Sequence, residues 1–245
     1  MEKIFSTEWL GRTLSIKTGK IAKQANAAVW VQYGETVVQA TVVQAKTARD
    51  VDFFPLMVDL EEKLYAAGII KGSKWIKREG RPTDQAILTG RMIDRSIRPL
   101  FNEEDNRDVQ VIITVLAVDQ ENDHDIVSLI AASAALSISG VDWAGPIGGI
   151  RVGLINDNFV VNPSYKEQAE SSLDLIVAGT EEKTIMIEAG ADEIPEEKIL
   201  EAIMLGQKEM QKAISLIKEM QSSLDVKKNE FKVEEKSEDE IEKEK

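Results

Sequence analysis

Apolar positions in the first half of the chain alternate with polar ones at a period of two, the signature of half-buried strands. Residues 12–18 place Leu14 and Ile16 on one face, and Gly19 ends the run. Residues 27–33 and 36–44 are rich in valine, and the two-residue link Gly34-Glu35 between them predicts a type II′ hairpin. Residues 52–59 form another apolar run, which Pro55 restricts to an edge or interrupted strand. Beyond Pro82 the period changes. Ala86, Met92, Ile93 and Ile97 recur at helical spacing, with Pro82 at the start and Pro99 at the end. Residues 109–118 predict a buried strand. Residues 125–139, rich in alanine and serine, predict a helix that can lie close against a sheet, and Gly140 follows where a left-handed residue ends a helix. Further strands are predicted over 149–155, 159–162, 174–178 and 184–188, with Asp157-Asn158 turning a hairpin. Pro195 opens one long helix to Met220, whose apolar positions run from Ile199 to Ile217 at a 3.6 period.

This order predicts an α+β domain in two layers, a mixed sheet with helices packed on it. Its organisation reads as residues 1–145 for the first part of a core, 146–195 for its remaining strands, and 196–224 for the start of an all-helical segment. From Asp225 onward 15 of 21 residues are charged, so 225–245 reads as a disordered tail or linker.

Composition narrows the chemistry. A chain of 245 residues can bury a large core without staples, and it contains no cysteine. Thiol nucleophiles, iron–sulfur clusters and cysteine zinc sites are therefore excluded. The single histidine, His124, rules out a multi-histidine metal site and is expected at the surface rather than as a base. No apolar run approaches a signal-peptide core or the roughly 18 residues of a membrane helix, so a soluble, cytoplasmic protein with no membrane partner is expected.

The formal charge of −13 argues at first against a polyanion partner, yet the charge is segregated. Residues 71–98 contain eight basic and three acidic side chains, net +5, which leaves −18 for the remainder. Within that segment Trp75, Ile76, Lys77, Arg78 and Arg81 set an aromatic and an aliphatic side chain beside cations. Single-stranded nucleic acid takes that pairing, with bases stacking on flat apolar surface and cations meeting phosphates. Arg91, Arg95 and Arg98 then share one helix face, with Asp94 within pairing distance. Two readings fit: a solvated, ion-paired helix with a surface loop, or an RNA-binding surface.

A set of motifs points further. FFPLMVDLEEKLYAAG (53–68), WIKREGRP (75–82), LTGRMIDRSIRPLF (88–101), VQVIITVLAVD (109–119), IAASAALSISG (130–140), GPIGGIRVGLIN (145–156) and LDLIVAGT (173–180) occur in this order. Together they resemble the amino-terminal RNase PH-like domain of the bacterial polynucleotide phosphorylase family, over about residues 8–220. The resemblance implies a first RNase PH-like core followed by the start of a helical segment. It implies a ring of three chains around a channel for single-stranded RNA, and partners in RNA decay such as an endoribonuclease or a helicase. The implied reaction is phosphorolysis at the RNA 3′ end, with inorganic phosphate as co-substrate and Mg2+ or Mn2+ as cofactor.

The resemblance also implies where that chemistry is missing. The family's catalytic core holds phosphate with a Gly-Ser-Ser-Ser stretch before a helix; here the stretch is Asn122-Asp123-His124-Asp125. Two carboxylates repel phosphate and suit a helix N-terminus instead. Of the family's paired aspartates, the first is replaced by Gln168, so Asp174 is a lone remnant and no metal site is expected. The segment is expected to be catalytically silent. Its RNA-binding residues would be Trp75, Ile76, Lys77, Arg78 and Arg81, with Arg91, Arg95 and Arg98 near the vestigial site or channel. Glu62 and Tyr65 are assigned structural roles. A stand-alone, non-catalytic RNA-binding or scaffold protein of the same fold is the alternative. An independent RNase PH-type enzyme is opposed by the Asn-Asp-His-Asp stretch.

Overall fold

A computed structural model describes residues 2–70, 80–102 and 104–226. Two sheets enclose a central helix. The first sheet is six-stranded and mixed, built from β1 (Lys3–Trp9), β2 (Arg12–Thr18), β3 (Ala27–Tyr33), β4 (Thr36–Ala48), β5 (Leu56–Glu62) and β6 (Arg107–Ala117). Its order is β1-β2-β3-β4-β6-β5, antiparallel except that β5 runs parallel to β6 at the edge. The second sheet is four-stranded and antiparallel, from β7 (Gly148–Ile155), β8 (Asn158–Val161), β9 (Leu173–Gly179) and β10 (Thr184–Ala191), in the order β10-β9-β7-β8.

The alternating residues face inward as the pattern requires. Leu14, Ile16, Val29, Val31, Val38, Ala40 and Val42 are all fully buried. Gly34 takes a φ of 60° and Tyr33 pairs with Thr36, which gives the tight hairpin expected there. The second hairpin turns one residue earlier than expected. Asn156 and Asp157 both adopt positive φ and Ile155 pairs with Asn158, the backbone of a type I′ turn. The edge strand begins at Leu56, directly after Pro55, because proline cannot donate to the ladder.

The central helix, α2 (His124–Ser137), is buried on every side. It packs on β3, β4 and β6 of one sheet and on β7 of the other. Alanine and serine permit that closeness. Ser133 Oγ accepts from the Ile147 backbone at 2.9 Å, and a Cβ on Gly149 would come 2.0 Å from Leu129 Cδ2. The helix α1 (Asp84–Ile97) is capped by Thr83, with Pro82 one position before the cap, and packs across β5. Two elements were not predicted: β1, and the six-residue α3 (Tyr165–Glu170), which a Ser164–Glu167 capping box nucleates.

Residues 196–224, read from sequence as one helix beginning a separate segment, form α4 (Glu196–Glu209) and α5 (Gln211–Leu224) and pack on this core. Ala202, Met210, Ala213, Ile214, Ile217 and Met220 belong to the same apolar cluster as the strands. The break at Met210 leaves the Glu209 carbonyl to accept from the buried Trp9 indole at 2.9 Å.

Candidate functional site

The middle of β7 carries one charge, Arg151, within an otherwise apolar and glycine-rich buried strand. A guanidinium there requires counter-charges. Nη1 donates to Asp123 Oδ2 at 3.0 Å and to Gln168 Oε1 at 2.8 Å, and Nη2 donates to Asp125 Oδ2 at 2.6 Å. Asp174 Oδ1 stands 3.4 Å from Nε, an ion pair without hydrogen-bond geometry. The start of α2, α3, β7 and β9 thus converge on one side chain. The sequence reading singled out Asp123, Asp125, Gln168 and Asp174 separately. It missed Arg151, although a lone cation in a buried strand was a legible signal.

The geometry at the start of α2 decides what the site can hold. Asp123 is the N-cap and accepts from the Asp125 amide at 3.3 Å; Asp125 accepts from the Ile126 amide through Oδ1. The Asp125 and Ile126 amides at the helix start are thus taken by the helix's own carboxylates. Each carboxylate gives its second oxygen to Arg151. A phosphate does not fit: it would meet two carboxylates and no free amide at these positions. Burial, then the neighbouring Asp123, push the Asp125 carboxyl up to about 6 against the opposing pull of Arg151. Burial opposes the Arg151 charge, but Asp125, Asp123 and Asp174 outweigh it and hold the guanidinium above its usual range. Burial and the same two aspartates raise the Tyr165 phenol.

Beside this cluster lies an open cleft of about 370 Å³, lined by Gln85, Thr89, Asp125, Arg151, Asp174 and Glu188. Asp174 is turned to Arg151, and among the described residues no group of three or more acidic or histidine side chains is arranged to hold a metal. Asp125 and Asp174 answer Arg151 and Glu188 answers Arg95, and those guanidinium charges oppose a divalent cation in the cleft.

His124 departs from expectation. It is 8% exposed rather than at the surface, because it occupies the first turn of the buried α2. Its Nε2 lies 2.9 Å from Glu62 Oε1, at the end of β5. Glu62 Oε2 in turn accepts from Thr83 Oγ1 at 2.7 Å.

The basic segment divides by what its cations do. Trp75, Ile76, Lys77 and Arg78 lie outside the described residues. Arg98 is committed to structure: it is bidentate to Asp94 at 2.7 and 2.9 Å and donates to the Phe54 and Leu56 carbonyls beside β5. Arg95 pairs with Glu188 of β10 at 3.0 Å. Arg81 and Arg91 are exposed, and neither has an ion-pair or hydrogen-bond partner among the described residues.

Residues 11–142 match the model of the 3′ exoribonuclease family, domain 1, and residues 145–209 match that of the 3′ exoribonuclease family, domain 2. The chain is 50% identical to the polyribonucleotide nucleotidyltransferase of Heliobacterium modesticaldum over 89% of its own length and 31% of that protein's. It is 54% identical to the enzyme of the same name from Bradyrhizobium sp. over 87% of this chain and 30% of that one, and 46% identical to that of Bacillus subtilis over 94% and 32%. The chain thus spans about a third of the length of these curated relatives. Its fold is similar to that of rice Rrp46, with a TM-score of 0.64 and 15% identity over 90% of this chain and 93% of that one. With both domain models matched in sequence order, the chain belongs to the 3′ exoribonuclease family.

Proposed function

We propose that the chain is the amino-terminal segment of a phosphorolytic polyribonucleotide nucleotidyltransferase acting in cytoplasmic RNA degradation, and that it handles RNA without catalysing its cleavage. The observation that carries this reading is the start of α2, where Asp123, Asp125 and Arg151 satisfy one another in the place an anion would take. Phosphorolysis of the RNA 3′ end, with Mg2+ or Mn2+, belongs to a second core outside this chain. The segment's own part is to grip single-stranded RNA through Trp75, Ile76, Lys77, Arg78 and Arg81, with Arg91 as a further phosphate contact. Arg95 and Arg98 act by fixing α1 to β10 and β5. Three copies would form a ring with these basic segments inward and the acidic remainder outward, and other RNA-decay proteins would dock from outside.

Purified chain incubated with poly(A), Mg2+ and inorganic phosphate is expected to release no ADP. Phosphate-dependent release would overturn the assignment. Binding to single-stranded RNA is expected to weaken linearly with log salt. Replacing Lys77, Arg78 and Arg81 together by alanine should reduce that slope by about 2, at roughly 0.7 per phosphate contact. An unchanged slope removes the RNA role from these residues.

A further inference from the structure

The strand β5 ends at Glu62, and α1 starts after Thr83, 21 residues later in sequence. The stretch of sequence between them carries the densest run of basic residues in the chain. Its two ends are joined side chain to side chain. Thr83 Oγ1 donates to Glu62 Oε2 at 2.7 Å, and the same hydroxyl oxygen accepts from the Ala86 amide at 3.0 Å as the cap of α1. The second carboxylate oxygen of Glu62 meets His124 Nε2 at 2.9 Å. A carboxylate only accepts, so the histidine proton sits on Nε2, and Nδ1 remains buried without a partner. The outgoing limb is tied as well: the Val118 amide donates to the Ala66 carbonyl at 3.1 Å, and Gly68 reverses the chain at a φ of 71°. Arg81 lines a groove beside this joint, together with Lys63, Leu64 and Pro82.

We propose that Glu62, Thr83 and His124 form a clasp that fastens the end of β5 to the start of α1 and holds Arg81 and the first turn of α1, hence Arg91, in the arrangement that binds single-stranded RNA. None of the three touches RNA; they are positioning residues, and the proposal rests on the RNA-binding reading above. The physical reason is loop closure. Cations on an unfastened loop of this length lose conformational freedom when they bind, and that loss is subtracted from affinity. A buried histidine anchors the joint to α2, so the joint is referenced to the domain core.

A charge-conserving swap tests it. Thr83→Asp keeps a capping oxygen for α1 but sets a carboxylate against Glu62, which opens the clasp. Adding Glu62→Gln restores it at the wild-type net charge. The carboxamide oxygen still accepts from His124, and its NH2 donates to the new carboxylate. In the single variant, hydrogen exchange over residues 60–66 and 84–88 should accelerate and affinity for an oligoadenylate should fall roughly tenfold. In the double variant both should return to within about twofold of the unaltered chain. The melting temperature of each variant separates these effects from general destabilisation. If the unaltered chain binds oligoadenylate but exchange and affinity ignore the swap, the clasp is overturned alone. If the unaltered chain shows no salt-dependent binding, the RNA reading falls and the clasp's role with it.

Discussion

Arg151→Met is the sharpest perturbation of the anion-excluding cluster. Methionine keeps much of the aliphatic volume and removes the guanidinium. It leaves the side chains of Asp123 and Asp125, 15% and 3% exposed, facing each other without a counter-ion, and it strips an acceptor from Gln168 of its donor. Removing one partner of a buried ion pair costs about 3–5 kcal/mol. For a chain of this size that lowers the melting temperature by roughly 6–20 °C. The pH dependence follows from Asp125. Its carboxyl is raised to about 6 in the folded state, above its ordinary value of 3.8. The folded state therefore takes up a proton between those pH values before the unfolded chain does, and this group's contribution to stability improves as pH falls from 6 towards 4. Without Arg151 the carboxyl is raised further, so the variant gains more on acidification. The gap between variant and wild type should narrow by roughly 1–2 kcal/mol between pH 7.5 and pH 5. Urea unfolding followed by tryptophan fluorescence at the two pH values measures both quantities. A cost below about 1 kcal/mol at pH 7.5, or a gap that does not change with pH, refutes the argument. Adding Asp123→Asn and Asp125→Asn should recover most of the loss, because the cost lies in the unpaired charges rather than in the lost contacts.

Two glycines give opposite expectations. Gly149→Ala would press a Cβ to 2.0 Å from Leu129 Cδ2, and Leu129 is fully buried. The urea midpoint should fall by the equivalent of about 1–3 kcal/mol, and an unchanged midpoint would mean that β7 and α2 are packed less closely than described. Gly90→Ala lies in the interior of α1, where a new Cβ meets only ordinary contacts, 3.7 Å to the Val58 carbonyl. It should stabilise by about 0.5–1 kcal/mol, and a lower midpoint would mean that the contacts with β5 are tighter than described. Arg91→Ala and Arg98→Ala should separate by readout. The first should lower the RNA salt slope by about 0.7 with stability unchanged, and the second should destabilise the α1–β5 contact. Equal effects on both readouts would remove the distinction drawn between free and committed cations.

Most of the fold was legible because its strands bury one face. The alternation at Leu14 and Ile16, or at Val38, Ala40 and Val42, is the direct imprint of a sheet packed on α2. The edge strand β1 was not legible: only Trp9 is fully buried in it, so its period is weak. The short α3 has no buried face and depends on one capping box. The break at Met210 follows from packing α4 on β7 and β9 while α5 turns to β1 and α2, a tertiary demand that a continuous 3.6 period conceals. The site was half legible. Local chemistry marked Asp123 and Asp125 as helix-start carboxylates, but their partner lies more than twenty residues away on strand β7. His124 was misplaced for the same reason, since the Glu62 that makes its burial tolerable is 62 residues distant.

Charge segregation in this chain is finer than the difference between a basic segment and an acidic remainder. Counter-charges are spent where an element must be fixed: Glu188 on Arg95, Asp94 on Arg98, and Asp123 with Asp125 on Arg151. Arg81 and Arg91, next to these pairs in sequence or on the same helix, have no such partner among the described residues. Two of the three arginines on α1 or at its end thus already answer a carboxylate. A buried ion cluster is a costly way to stabilise a fold, since apolar residues of equal volume do as well. What Asp123, Asp125 and Arg151 supply that apolar residues would not is a helix start closed to anions. Under the function proposed above, a helix start left open would compete for the phosphates assigned to Arg81 and Arg91.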